Sequence, residues 1–225
     1  MKHRFQFLAS VALFGAAALV CTPSANATVQ ITLANGLSSV TVTDGGVGDA
    51  CSAVNCVTFS GALGNYLINV STGIAQNTNN PFLDLNSINL TNTSNAGLLT
   101  ISTSSNGYTT MAPQLKFQVG GTSSLGGASN FSAYGGNSNT LFDTSNAIGS
   151  LSFPGSPFSG TTTLVPGPTA NPYSLTIVAQ LNGITPGSAS FNAAIDAVPE
   201  PATMALLGAS LLLAASGLRR KLRKA

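Results

Sequence analysis

The sequence predicts an all-β protein: a single β-sandwich over residues 28–197, with a jelly-roll arrangement as one option, between two apolar end segments. Three observations predict it. Short runs alternate apolar and polar residues, the period of a half-buried strand. Gly, Asn, Ser and Thr clusters separate those runs as turns do. Between the ends, no stretch sustains a 3.6-residue period beyond one or two turns.

The strands follow in order. Val29–Leu33 and Ser39–Thr43 open the domain. Val57–Ser60, Tyr66–Ser71, Leu83–Leu90 and Leu98–Thr103 come next, then Gln114–Val119, Phe131–Tyr134, Thr161–Val165, Tyr173–Leu181 and Ser188–Ile195. In Tyr66–Val70 the apolar side carries Tyr66, Ile68 and Val70. In Leu83–Leu90 it carries Leu83 and Leu85, then, after a register break, Ile88 and Leu90. Gly120–Asn139 is the least regular stretch and reads as a mobile surface loop with one weak strand. Phe153–Phe158 and Pro166–Pro168 read as turns. No fixed-period repeat is evident.

The first 27 residues read as a secretory signal peptide. Lys2, His3 and Arg4 form the basic start, Phe7–Val20 the apolar stretch, and Ala25-Asn26-Ala27 the small-x-small cleavage site, with Thr28 as first mature residue. Cys21 follows a bulky Val20, which argues against a lipoprotein. The C-terminal segment, residues 198–225, reads Val198-Pro199-Glu200-Pro201, an uncharged apolar run Ala202–Leu218, then a basic tail at 219–225. As a helix at about 1.5 Å per residue, that run spans roughly 26 Å, near the lower limit for a hydrocarbon core of about 30 Å. Arg219, Arg220, Lys221, Arg223 and Lys224 follow directly, the pattern of a stop signal retained in the cytoplasm. Pro199 and Pro201 separate the domain from this expected transmembrane helix.

Pro199-Glu200-Pro201, the apolar run and Arg219-Arg220-Lys221, in that order at the C-terminus, closely resemble the PEP-CTERM sorting signal of Gram-negative bacteria. The resemblance implies recognition by exosortase, a membrane-embedded transpeptidase-like protease. It implies an inner-membrane intermediate, cleavage at or near the motif, and delivery to the cell surface or extracellular matrix. Glu200 would then be read by another enzyme, with no catalytic role here. The Asp44–Asp49, Pro81–Ile88 and Gly187–Ala193 stretches are also loosely similar to a group of PEP-CTERM proteins.

The chain's formal charge of +2 splits unevenly. Seven of its eight Lys and Arg residues lie in the end segments. The domain keeps Lys116 against Asp44, Asp49, Asp84, Asp143 and Asp196. One cation cannot neutralise a phosphate backbone, so nucleic acid is not an expected partner. His3 is the sole histidine and leaves with the signal peptide, which removes Ser-His-Asp and Cys-His chemistry. The domain also lacks Arg, and the chain lacks Trp. No cofactor and no catalytic residue are expected.

Cys51 and Cys56 remain in the domain. Export to an oxidising compartment makes a disulfide the default over free thiols, and no further Cys or His completes a metal site. Asp44-Gly45-Gly46-Val47-Gly48-Asp49 is a weak Ca²⁺ candidate, beside its simpler reading as a solvated turn. Asp84 reads as a solvent-facing strand residue or a cap, and Lys116 as the polar side of a strand, guarding an edge. Asn130, Tyr134, Asn137 and Asn139 could form a sugar-binding loop surface, though all are ordinary loop formers. The expected role is a non-catalytic, surface-sorted protein of the envelope or extracellular polysaccharide matrix. The alternative is a carbohydrate-binding or adhesion module, and a third reading is a glycosidase using Asp44 and Asp49.

Overall fold

Alternating runs become strands because a pleated backbone sends successive side chains to opposite faces, so one face is buried and the other stays wet. The computed structural model describes residues 28–76, 81–94, 97–112, 114–198 and Ser210. In chain order the strands are β1 (Val29–Ala34), β2 (Ser39–Thr43), β3 (Cys56–Leu63), β4 (Tyr66–Gln76), β5 (Phe82–Asn92) and β6 (Gly97–Tyr108). They continue as β7 (Gln114–Ser123), β8 (Gly126–Gly136), β9 (Ala147–Phe153), β10 (Phe158–Thr161), β11 (Val165–Pro166), β12 (Tyr173–Gly183) and β13 (Gly187–Val198). One sheet has six strands in the order β2-β1-β6-β12-β8-β9. The other has seven: β10-β7-β13-β5-β4-β3, with β11 also pairing β7. Every strand pairing among the described residues is antiparallel.

The two sheets close over one apolar layer, forming a β-sandwich. Ile31, Leu99, Ile101, Phe131, Leu175 and Ile177 face in from the six-stranded sheet. Tyr66, Val70, Leu83, Leu85, Phe117, Phe191 and Ile195 face in from the seven-stranded sheet. Burying one such side chain stabilises by about 1.5–3 kcal/mol, so this layer dominates the fold's energetics. Two tyrosines tie the sheets together. The Tyr108 hydroxyl (β6) donates to the Phe82 carbonyl (β5) at 2.8 Å. Towards the other end of the sandwich, the Tyr66 hydroxyl (β4) donates to the Gly97 carbonyl (β6) at 2.5 Å. Tyr108 stacks on Tyr173 with centroids 5.2 Å apart. A second aromatic group, Phe131, Phe153, Phe158 and Phe191, joins β8 and β9 to β10 and β13.

The register break expected in β5 is real. Leu83, Leu85, Ile88 and Leu90 are all buried, and Asn86 and Ser87 together oppose Asn192 alone between the Leu85–Ala193 and Ile88–Phe191 pairs. An extra residue in one strand resets which side chains face inward.

Gly120–Asn139 differs most from its expectation. Gly120–Ser123 completes β7, and Gly126–Gly136 is an eleven-residue strand held between β12 and β9. Its buried Ser129, Phe131 and Ala133 alternate with outward residues. The glycines and serines masked that pattern because they carry little hydrophobic signal. β9 was also not expected, and Thr161–Val165 divides between the end of β10 and the start of β11. Lys116 does not guard an edge: its strand is paired with β13 on one side and with β10 and β11 on the other.

Val29 and Val198 lie at the same end of the sandwich. Val29 is paired with Ser105 near the end of β6, and Val198 with Gln114 at the start of β7. The Tyr108–Phe82 bond joins the two sheets at this end. The expected signal peptide and transmembrane helix fall outside the described residues, apart from Ser210, which is helical.

Candidate functional site

The outward face of the seven-stranded sheet carries two adjoining hollows along β13. The first, of about 600 Å³, is lined by outward-pointing Ser60, Ala62, Leu67, Asn69, Asn89 and Thr91, with Ser188 and Ser190. The second, of about 510 Å³, is lined by Asp84, Asn86, Gln118, Gly120, Thr161 and Asn192. Ser188, Ser190, Asn192, Ala194 and Asp196 are successive outward positions of one strand, so the hollows form one groove running towards the Val198 end. The β5 bulge lies at the junction of the two, where the added twist bends the sheet surface. Gly120 leaves space there: a Cβ built on it meets nothing within 4 Å.

The groove mixes apolar and polar surface, the first hollow being the more apolar and the second the more polar, and it is nearly neutral. Amides and hydroxyls supply donors and acceptors, while Ala62 and Leu67 add apolar contact. Charge is confined to the end near Val198. There the Asp196 carboxylate accepts from Gln118 Nε2 at 2.8 Å and faces Lys116 Nζ at 3.8 Å. Burial pushes the neighbouring Asp84 carboxyl up to about 6, and the charge of Asp196 adds to that rise. Asp84 faces outward from β5, between buried Leu83 and Leu85, and is half-buried in the groove wall.

The other expected positions serve structure. Cys51 and Cys56 form the disulfide, with Cα atoms 5.9 Å apart. Asp44 and Asp49 lie in the loop before β3, turned towards backbone amides. Asp44 Oδ2 accepts from Asn55 N–H at 2.7 Å. Asp49 accepts from Gly45, Cys51 and Thr58 N–H groups, each at 2.9 Å. Those three bonds outweigh partial burial and hold the Asp49 carboxyl below its ordinary range. Asn137 Oδ1 accepts from Thr169 and Ala170, and Asn139 Oδ1 from Gly107. Asn130 and Tyr134 sit on the outward side of β8, in the other sheet. These four do not line the groove.

Of the cleavage and sorting residues, Thr28 and Val198 are described; Ala25, Ala27, Pro199, Glu200, Pro201, Arg219, Arg220 and Lys221 lie outside the described residues. Thr28 is joined to Asn106, whose backbone N–H donates to the Thr28 carbonyl.

The groove was not among the sequence expectations, yet the sequence carries a signal for it. Asparagine is depleted in strands, but Asn69, Asn89 and Asn192 recur at polar positions of clearly alternating strands. Amides spent on one face of a sheet mark that face as more than solvent-facing filler.

No curated protein matches the chain in sequence. Among solved structures it is similar to the CBM22-1–GH10 modules of a Clostridium thermocellum endo-1,4-β-D-xylanase complexed with xylohexaose. The identity is 13%, over 51% of this chain and 22% of that one, with a TM-score of 0.32. The chain thus spans about a fifth of that protein's length. It is also similar to a carbohydrate-binding module, CBM36, in complex with calcium and xylotriose: 17% identity, 47% and 76% coverage, TM-score 0.27. A C-terminal family 22 carbohydrate-binding module from Clostridium thermocellum gives 14% identity, 68% and 94% coverage, and TM-score 0.35. The C-terminal resemblance is firmer: the family model described as the PEP-CTERM protein-sorting motif matches residues 197–221. The chain is therefore a protein bearing the PEP-CTERM sorting motif.

Proposed function

We propose that this is an exported, non-catalytic protein of the cell surface or extracellular matrix, and that its groove binds matrix polysaccharide. The motif at residues 197–221 supports exosortase and the secretion machinery as its processing partners. It also supports an inner-membrane intermediate before release. The groove carries the binding half of the reading. Its hydroxyls and amides match the alternating donors and acceptors of a sugar chain, and its near-neutrality suits an uncharged or weakly charged polymer. The non-catalytic reading is supported by the work that three of the domain's five carboxylates already do. Asp44 and Asp49 hold backbone amides, and Asp196 is engaged by Gln118 and Lys116.

Two experiments test the two halves. Replacing Pro199, Glu200 and Pro201 together with alanine should leave unprocessed protein in the inner membrane. Unchanged release and unchanged mature mass would remove the sorting half. A glycan array probed with the mature exported protein should show saturable binding to a class of matrix polysaccharide. A blank array, repeated with the host's own polymer, would remove the binding half.

A further inference from the structure

The sorting motif begins inside the folded domain. β13 runs to Val198, and the matched segment starts at residue 197. Ala197 is paired with Leu115 and Val198 with Gln114, while the Ala197 N–H donates to the Pro81 carbonyl at 3.2 Å. Pro199 is the next residue, so the chain has no spacer between its last sheet-paired residue and Pro199-Glu200-Pro201. Three extended residues reach only about 10 Å beyond the sheet. The same end carries the connection between β2 and β3, which includes Cys51 of the disulfide and has Val47 and Val54 exposed on it. An enzyme that seats this tripeptide in a cleft must take hold of chain directly against a folded wall.

The register shows where that wall yields. Pairing with β5 stops at the Asp196–Phe82 pair, whereas pairing with β7 continues to Val198. Ala197 and Val198 thus depend on one neighbouring strand and a single bond to Pro81. A strand end held on one side opens more readily than one held on both.

We propose that the last residues of β13 peel away from β7 before the motif can be processed, so that the folded domain sets the rate of its own release. This rests on the sorting reading above. Opening shortens the sheet by about two residues and lengthens the accessible segment by the same number. It leaves the groove intact, because each outward residue from Ser188 to Ala194 remains paired with β5, β7 or both.

The test uses the full chain in its exporting host, following conversion of newly made precursor to mature protein. Insertion of six Gly and Ser residues between Val198 and Pro199 removes the need for peeling. It should speed conversion about fivefold or more, the factor that about 1 kcal/mol supplies. Joining Gln114→Cys to Val198→Cys by a disulfide should slow conversion, with reductant restoring it. Unchanged conversion in the spacer variant overturns the proposal. Slower conversion in that variant also overturns it, since the enzyme would then need the folded wall as a docking surface. The alanine replacement of Pro199-Glu200-Pro201 runs alongside. If that variant is processed normally, the sorting reading fails; if it is blocked while the spacer has no effect, only the peeling proposal fails.

Discussion

The two outward faces of the sandwich have similar composition and opposite fates. On the six-stranded sheet, residues 137–146 fold over β6, β8 and β12. Phe142 N–H donates to Ser104 Oγ at 2.8 Å, and Ser104 Oγ lies 2.9 Å from Thr176 Oγ1. Both hydroxyl residues are fully buried. Farther along that face, polar side chains satisfy one another across strands, as in Ser132–Ser150 at 2.9 Å and Ser152–Asn130 at 2.6 Å. On the seven-stranded sheet no segment among the described residues plays the part of residues 137–146. There Asn, Ser and Thr line an open groove. A hydroxyl- and amide-rich face can therefore be covered or left open, and the chain segment folded over it decides which.

One pair of glycines separates the faces most sharply. Gly136 points outward under the covering loop, and a Cβ there would meet Asp143 Cβ and Ser174 Oγ, each at 2.5 Å. Gly120 points outward into the open groove. Gly136→Val should cost about 1–3 kcal/mol, towards the upper end, by forcing the loop away. Gly120→Val should be neutral or slightly stabilising, because glycine is a poor strand former. Urea unfolding of both variants checks this; equal costs would erase the distinction between covered and open.

A smaller effect is expected from the buried hydroxyl. Ser104→Ala leaves the Phe142 N–H and the Thr176 hydroxyl without this partner, a loss of about 1–2 kcal/mol. Polysaccharide affinity should not move. A loss of affinity in that variant would mean the faces are coupled.

The faces also differ in pH dependence, where they carry opposite signs. Burial raises the Asp84 carboxyl to about 6, so its folded form loses a proton later than its unfolded form, which titrates near 3.8. Its contribution falls as pH rises through that window and stays unfavourable above it. Asp143 is the reverse. The Ser138 hydroxyl first, and then Ser145, hold it down to about 2. Its contribution is present above the unfolded value and lost as pH falls towards 2. Asp84→Asn should therefore raise the urea midpoint at pH 7 and leave it nearly unchanged at pH 4. Asp143→Asn should lower the midpoint at pH 7. Parallel shifts in both variants would contradict the assignment.

Strands with large alternating side chains were legible in the sequence. Tyr66–Val70 and Leu83–Leu90 disclose their buried faces residue by residue, including the break at Asn86-Ser87. β8 was legible only at Phe131–Tyr134, because Gly, Ala and Ser fill most of the rest and its burial comes from its place between β12 and β9. The disulfide followed from spacing and export alone. The groove did not, because outward alternation is the same whether a face meets water, a covering loop or a ligand. Only the sheet order places Asn69, Asn89 and Asn192 on one open surface. The covering role of residues 137–146 depends on Asn139 and Phe142 adopting positive φ, which composition does not announce.

The most direct measurement is a binding titration of the mature exported protein against its host's matrix polysaccharide, with Gly120→Phe as comparator. The substitution places a ring where the groove is open, without disturbing the core. Saturable binding by the wild type and loss of at least tenfold in Gly120→Phe, at unchanged stability, is the predicted result. Equal affinity in the two proteins would contradict the account.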